Sequence, residues 1–139
     1  MKLGFFSKIQ ILLNSRKIFK NWHIYPKVYW QLTNDEFAVF ETKTDLKLKV
    51  RVKSTDLMAL TNVWMINEYD VDSFKINQGD NVIDIGAHIG LFSLLVSQFC
   101  DAVKIFSFEP IRENFDLLVS NLELNHTENI FPFNVGVSK

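Results

Sequence analysis

A single cysteine, Cys100, stands in this 139-residue chain, which excludes an intrachain disulfide framework and fits a reducing, cytoplasmic setting. Cys100 lies in an apolar run at a helix end and reads as packing rather than as a nucleophile. Five glycines and three prolines are too few for a low-complexity chain. A hydrophobic content of 47% with thirteen phenylalanines leaves no case for disorder. No apolar run reaches the roughly 20 residues of a membrane-spanning helix. Residues 1–25 lack acidic side chains while carrying Lys2, Lys8, Arg16, Lys17 and Lys20. They do not make a signal peptide, because Lys8 and Gln10 interrupt the apolar stretch that one needs. No internal repeat is present.

What is present is unevenly charged. Residues 1–54 hold eleven basic and four acidic side chains, and residues 55–139 hold four basic and twelve acidic, so the halves are +7 and −8. Nucleic-acid binding usually needs a basic surface across the domain that recognises the ligand, and the half with the recognisable motifs is acidic, so no nucleic-acid partner is expected. The length suits one domain with a sizeable core. It is read as an N-terminal extension over 1–76 followed by an α/β region over 77–139.

In the extension, Phe5, Ile9, Leu12 and Leu13 recur at helical spacing and make a basic amphipathic helix. Such a helix packs on its own domain or meets a membrane surface or a partner. Residues 36–42 and 46–53 then alternate around a turn at Lys43, Thr44 and Asp45, which reads as a hairpin with Lys47, Lys49, Arg51 and Lys53 on the solvated face. Ser54, Thr55 and Asp56 supply a cap for a helix whose apolar stripe is Leu57, Leu60, Val63 and Trp64. Asn67, Glu68, Tyr69 and Asp70 lead through Phe74 and Ile76 to a turn at residues 77–80.

From Asn81 the pattern becomes continuous apolar runs at 82–85, 103–108 and 130–137, which is how strands of a parallel sheet covered on both faces read. Between them lie helical segments lined by Leu91, Leu94, Leu95 and Phe99, and by Phe115, Leu118 and Leu122. Pro110 suits the first turn of the second helix. The order is β-α-β-α-β, and ligands of such sheets bind beyond the carboxyl ends of the strands.

Gly86 and Gly90, with Ala87 and His88 between them, follow the first strand at that end. Glycine there permits a tight turn and a close ligand approach. Asp84 can bring a carboxylate to the crevice, and Glu109, ending the second strand, can accept two hydrogen bonds from a ribose diol. Gly86 and Glu109 are 23 residues apart, close to the roughly 20 expected when one helix joins two strands. Read blandly, the glycines only allow a strand-to-helix connection, and the two acids only complement helix starts. Their joint placement at one end of one sheet favours a nucleoside site. The dinucleotide pattern G-x-G-x-x-G is missing, because His88 stands where its middle glycine would be. The loop therefore suits a phosphate-free nucleoside such as S-adenosylmethionine better than NAD, and its acidic setting suits the positive sulfonium and ammonium groups. His88 reads as a loop contact rather than a base.

Residues 82–94, from Val82 through Asp84, Gly86, Ala87, His88 and Gly90 to Leu94, together with Phe108, Glu109, Pro110, Asn114, Phe115, Leu118 and Asn121, resemble the FkbM family of S-adenosylmethionine-dependent methyltransferases. Arg51, Asp56 and Tyr69 are similar to that family's approach to the first motif, so the resemblance covers about residues 50–139. It implies that Asp84, Gly86 and Gly90 belong to the cofactor loop and that Glu109 contacts the ribose. It also implies a class I, Rossmann-like doubly wound sheet of seven strands, and O-methylation of a sugar, glycan or natural-product hydroxyl. Only three of those strands have candidates here, so a fold truncated after the third strand, with strand 82–85 left at an open edge and completed by another chain or an oligomer, is the expectation. No catalytic base and no metal site are assigned. The rival readings are a non-catalytic cofactor-binding remnant or interaction module, and an NAD-dependent oxidoreductase.

Overall fold

The computed structural model describes residues 5–66, 68, 69, 75–99 and 102–137, with side chains from residue 9 onward. Lys2, Asn67, Asp70, Phe74 and Cys100, and the side chains of Phe5 and Lys8, lie outside what is described. The chain forms two compact units, Met1–Glu68 and Tyr69–Lys139.

The first unit runs α1 (Phe5–Ile18), α2 (Ile24–Tyr29), β1 (Phe37–Glu41), β2 (Lys47–Arg51) and α3 (Asp56–Leu60), the last continuing into a π-helical turn over Thr61–Met65. The buried stripe of α1 differs from the predicted one. Ile11 and Ser15 are buried, as is Phe19 just beyond the helix, whereas Ile9 and Leu13 are exposed. Spacing by four keeps the first set on one helical face. Two contacts fix the rotation: the Asn14 side-chain amide donates to the Met65 carbonyl at 2.8 Å, and the Phe19 ring lies 5.3 Å from that of Phe40. None of the described helices is long and apolar enough to cross a membrane.

The hairpin forms where alternation places it, β1 antiparallel to β2 with Val39 opposite Lys49. Leu48, Val50 and Val52 point inward. Arg51 leaves the solvated face assigned to it. Its Nε and Nη2 donate to the two carboxylate oxygens of Asp56 at 2.8 Å each, and its backbone N–H donates to Oδ2 at 2.9 Å. Asp56 is fully buried, at the first position of α3, and its own N–H is taken by Ser54 Oγ at 3.0 Å. Leu57, Leu60, Val63 and Trp64 are buried, as their periodicity predicts.

The second unit runs β3 (Asn81–Ile85), α4 (Leu91–Ser97), β4 (Lys104–Phe108), α5 (Arg112–Leu124) and β5 (Ile130–Phe133). All three strands are parallel, in the order β3-β4-β5, with Asp84 opposite Ser107 and Ser107 opposite Pro132. The third strand is shorter than the predicted run to residue 137. Its last rung is the Glu109 N–H donating to the Phe133 carbonyl at 3.0 Å. Pro110 then has no N–H to continue the ladder. Asn134 instead donates its side-chain amide to the carbonyl oxygens of Glu109 and Pro110, at 2.9 and 3.3 Å. Helix α5 begins at Arg112, two residues after Pro110, because Ile111 is held extended with its N–H on Glu109 Oε1 at 2.9 Å. Helix α4 ends at Ser97, and Phe99 beyond it is exposed rather than part of the stripe.

Among the described residues, α4 and α5 lie on the same face of this sheet. Ser93 of α4 reaches Asp84 and Ser107, and Leu122 of α5 lines a groove with Ile130 and Pro132, all on the same side in register. On the other side Ile83 and Ile85 are 64% and 65% exposed, and a ladder of stacked rings runs through Phe106, Phe131, Phe108 and Phe133 at centroid spacings of 5.0 to 6.4 Å. Among the described residues β3 pairs with β4 alone, so its outer edge carries no strand.

Candidate functional site

Strand β3 ends at Ile85, and the chain must reverse over five residues to start α4. Three of the five adopt positive φ: Gly86 at 78°, His88 at 52° and Gly90 at 84°. Glycine reaches this left-handed region without penalty, and histidine is among the few side-chain-bearing residues found there. At Gly90 glycine is favoured on two grounds, since a Cβ would also lie 3.2 Å from Leu118 Cγ, tighter than an ordinary contact.

Hydrogen bonds to the second strand hold the turn. The N–H groups of Gly86 and Ala87 donate to the Phe108 carbonyl at 2.9 and 3.0 Å. The His88 N–H donates to Glu109 Oε2 at 2.8 Å, and the Gly90 N–H donates to the Ala87 carbonyl at 2.8 Å. Four amides of the turn are therefore already committed within the protein. The predicted residues Gly86, Ala87, His88, Gly90 and Glu109 are thus brought together at the carboxyl ends of β3 and β4.

Glu109 is only 4% exposed. Besides the His88 amide on Oε2, its Oε1 accepts from the Ile111 N–H at 2.9 Å and, at a long 3.5 Å, from the Asn114 side chain. A carboxylate offers about four acceptor positions, so Oε2 keeps capacity for a further donor such as a ribose hydroxyl.

Asp84 departs from its expected place at the crevice. It sits on the helix-covered face, buried, with Oδ2 accepting from Ser93 Oγ at 2.6 Å, while Ser93 and Ser107 hydroxyls lie 2.7 Å apart. The alternation of β3 explains this: Ile83 and Ile85 take the open face, which sends Asp84 inward. Burial holds its carboxyl above the usual aspartate value, with the Glu109 charge adding to the rise and the Ser93 hydrogen bond opposing it.

Side chains of α5 complete the site in a way that the apolar stripe did not announce. Asn114, Leu118 and Asn121 share one helix face; Asn121, fully buried, donates its amide to the Ile89 carbonyl at 2.9 Å. The available signal was two asparagines, seven residues apart, on an otherwise apolar face. The family resemblance included both asparagines without assigning them a role, whereas Ser93 and Ser107, small polar residues inside apolar runs, were not read as partners of Asp84. Tyr69 packs its ring on Phe92, in the first turn of α4, at 5.0 Å. A separate shallow groove of about 390 Å³, lined by Val119, Leu122, Glu123, His126, Thr127, Ile130 and Pro132, lies toward the amino end of β5, at the other end of the strands from the turn. No group of three or more metal-ligating side chains occurs among the described residues.

The model of the TRM5/TYW2 methyltransferase domain matches residues 47–138. Methyltransferase sdnD of Sordaria araneosa is 40% identical over 57 residues, which are 41% of this chain and 21% of that protein. The chain thus matches about a fifth of that relative's length. Among solved structures, M. jannaschii TYW2 in complex with AdoMet aligns with a TM-score of 0.56 at 20% identity, over 73% of this chain and 44% of that one. The putative transferase PH0793 of Pyrococcus horikoshii aligns with a TM-score of 0.54 at 23% identity, over 74% and 37%. These likenesses concern the fold, a Rossmann-like α/β arrangement whose parallel sheet is represented here by three strands.

Proposed function

Because this chain belongs to the TRM5/TYW2 methyltransferase domain family, we propose that the turn over residues 86–90 and Glu109 bind S-adenosylmethionine, and that the protein they serve is an S-adenosylmethionine-dependent methyltransferase. The observation that carries this reading is the bond from the His88 amide to Glu109 Oε2. In a dinucleotide site the turn amides point at a pyrophosphate. Here the amides of Gly86, Ala87, His88 and Gly90 are spent on protein acceptors, and a carboxylate stands beside them. That arrangement repels a phosphate and leaves a ribose acceptor, which fits a nucleoside whose charged end is a cation. Gly86 adds an exposed backbone with open space where a side chain would otherwise project.

The turn and Glu109 would hold S-adenosylmethionine, whose sulfonium would supply an electrophilic methyl group for an acceptor oxygen. The residues of this chain contribute alignment: the pinned turn fixes the nucleoside, and Glu109 fixes the ribose. Alignment of the reacting atoms accounts for much of the rate in displacements of this kind. The acceptor oxygen must also lose a proton, and no residue of the turn is assigned to take it.

For the acceptor, we propose a hydroxyl of a sugar, glycan or natural product rather than a nucleic acid. The FkbM-like residues 82–94 and 108–110 support it, as does the net −8 of residues 55–139, which disfavours a polyphosphate strand beside the site. The test is calorimetry of the full chain. Micromolar S-adenosylmethionine binding that is lost in Glu109→Ala supports the reading, and tighter NAD binding overturns it in favour of an oxidoreductase. Absent or millimolar binding favours a remnant without a working site. Transfer of labelled methyl to RNA, with none to hydroxylated small molecules, would defeat the acceptor assignment alone.

A further inference from the structure

The Ile89–Gly90 peptide of the turn is held at both of its polar groups, one of them by α5. Its N–H end donates to the Ala87 carbonyl at 2.8 Å, and its carbonyl end accepts from Asn121 Nδ2 at 2.9 Å. The Cα of Gly90 meanwhile faces Leu118 so closely that an added Cβ would come within 3.2 Å of Leu118 Cγ. Both polar groups of one peptide plane and the carbon next to it are thus fixed, which sets the left-handed Gly90 at φ 84°. Asn114 stands at the other end of the same helix face, 3.5 Å from Glu109 Oε1. Asn114, Leu118 and Asn121, spaced by four and three residues, therefore run beside the turn from the ribose acid to its last glycine. Asn121 and Leu118 are fully buried, so this face is a template rather than a ligand contact.

We propose that Asn121 is a positioning residue for the cofactor: its side-chain amide, delivered by α5, locks the Ile89–Gly90 peptide in the orientation that the nucleoside requires. This rests on the cofactor reading above. A buried asparagine whose role is only to fill the core would change stability when replaced and leave the affinity of the folded protein alone. A positioning residue does the opposite. With its donor removed the turn can leave the left-handed geometry at Gly90, and binding must then spend free energy restoring it, so affinity falls in molecules that remain folded.

The experiment compares the wild-type chain with Asn121→Leu, which keeps the branched shape and removes the donor, using S-adenosylhomocysteine as the probe in calorimetry and amide hydrogen exchange over residues 86–92. The expected result is a Kd raised about tenfold in Asn121→Leu, with faster exchange at Gly90 and Leu91 and unchanged exchange in β4. Wild-type affinity in Asn121→Leu, with only a lowered melting temperature, would overturn the positioning role and leave the cofactor site standing. Failure of wild type itself to bind would overturn the cofactor reading and this inference with it. Should Asn121→Leu not fold, the wild-type protein decides alone. The Asn121 side-chain amide resonances should move with those of Gly90 on titration with S-adenosylhomocysteine. An Asn121 signal that stays still while Gly90 shifts would refute the coupling.

Discussion

His88 and Glu109 are joined through the backbone amide of the first and the carboxylate of the second at 2.8 Å, so the acid that ends β4 is also the clasp of the turn that follows β3. Glu109→Gln tests the two roles together. The amide can still accept from Ile111 through an oxygen, but its NH2 then faces the His88 N–H, donor against donor. A buried donor left without an acceptor costs about 1–3 kcal/mol. Urea unfolding should show a loss of that size, and calorimetry should show S-adenosylhomocysteine affinity falling by at least about tenfold, or about 1.4 kcal/mol. Unchanged affinity would mean that Glu109 serves the turn and not the ribose.

The two glycines of the turn should respond differently to alanine. Both have positive φ, which costs an L-residue about 1–2 kcal/mol. Only at Gly90 does the new methyl also meet a neighbour, Leu118, whereas at Gly86 nothing lies within 4 Å. Gly90→Ala should therefore be the more destabilising by roughly 1 kcal/mol, the scale of a modest overpacking. In a Leu118→Ala background that difference should close while the common backbone cost remains. Equal effects in the wild-type background would show that the helix yields without strain.

How much of this was legible in the sequence depends on whether each residue's surroundings are local. The three strands and two helices of the second unit follow from apolar runs and spacing, and the turn from Gly86 and Gly90. The length of β5 did not follow, because it ends where its neighbour reaches Pro110, a fact about β4 rather than about residues 134–137. Asp84 was placed on the wrong side for a related reason. Proximity to the strand end suggested the crevice, but strand alternation decides which face a side chain takes, and Ser93 and Ser107 receive it there. Nor did the continuous apolar run announce that Ile83 and Ile85 are exposed. In α1, periodicity predicted a helix correctly but its rotation wrongly, since Asn14 and Phe19 reach partners far along the chain.

Arg51 and Asp56, drawn together at the end of the hairpin, make a contrast with an exposed pair. Asp56 is fully buried and accepts three hydrogen bonds from Arg51, two from its guanidinium and one from its backbone. Removing one member of a buried pair typically costs 3–5 kcal/mol, and Arg51 remains partly in water, so Asp56→Ala should lose about 3 kcal/mol in urea unfolding. Arg112 and Asp116, one turn apart on α5 and both exposed, are also 2.8 Å apart. Asp116→Ala should change stability by less than about 0.5 kcal/mol, and salt should screen what remains. Comparable losses in the two variants would show that burial does not set the strength of the first pair.

Asp84 makes stability depend on pH with a definite sign. Its carboxyl is held above the ordinary value of 3.8, chiefly by burial, then by the neighbouring charge of Glu109, with Ser93 opposing. In the pH window between the unfolded value and the raised folded one, the native chain binds more protons than the unfolded chain, so stability falls as pH rises. The contribution is complete below the unfolded value and lost above the folded one. Asp84→Asn keeps an oxygen for the Ser93 hydroxyl and carries no charge at any pH. Urea midpoints measured from pH 3 to 7 should show wild type losing ground to Asp84→Asn as pH rises, the gap levelling once Asp84 is ionised in both states. A gap that stays constant across that range would mean that the buried carboxylate is not penalised. The same variant also separates structure from binding: S-adenosylhomocysteine affinity close to wild type would assign Asp84 to the Ser93 and Ser107 cluster, and a tenfold loss would return it to the cofactor.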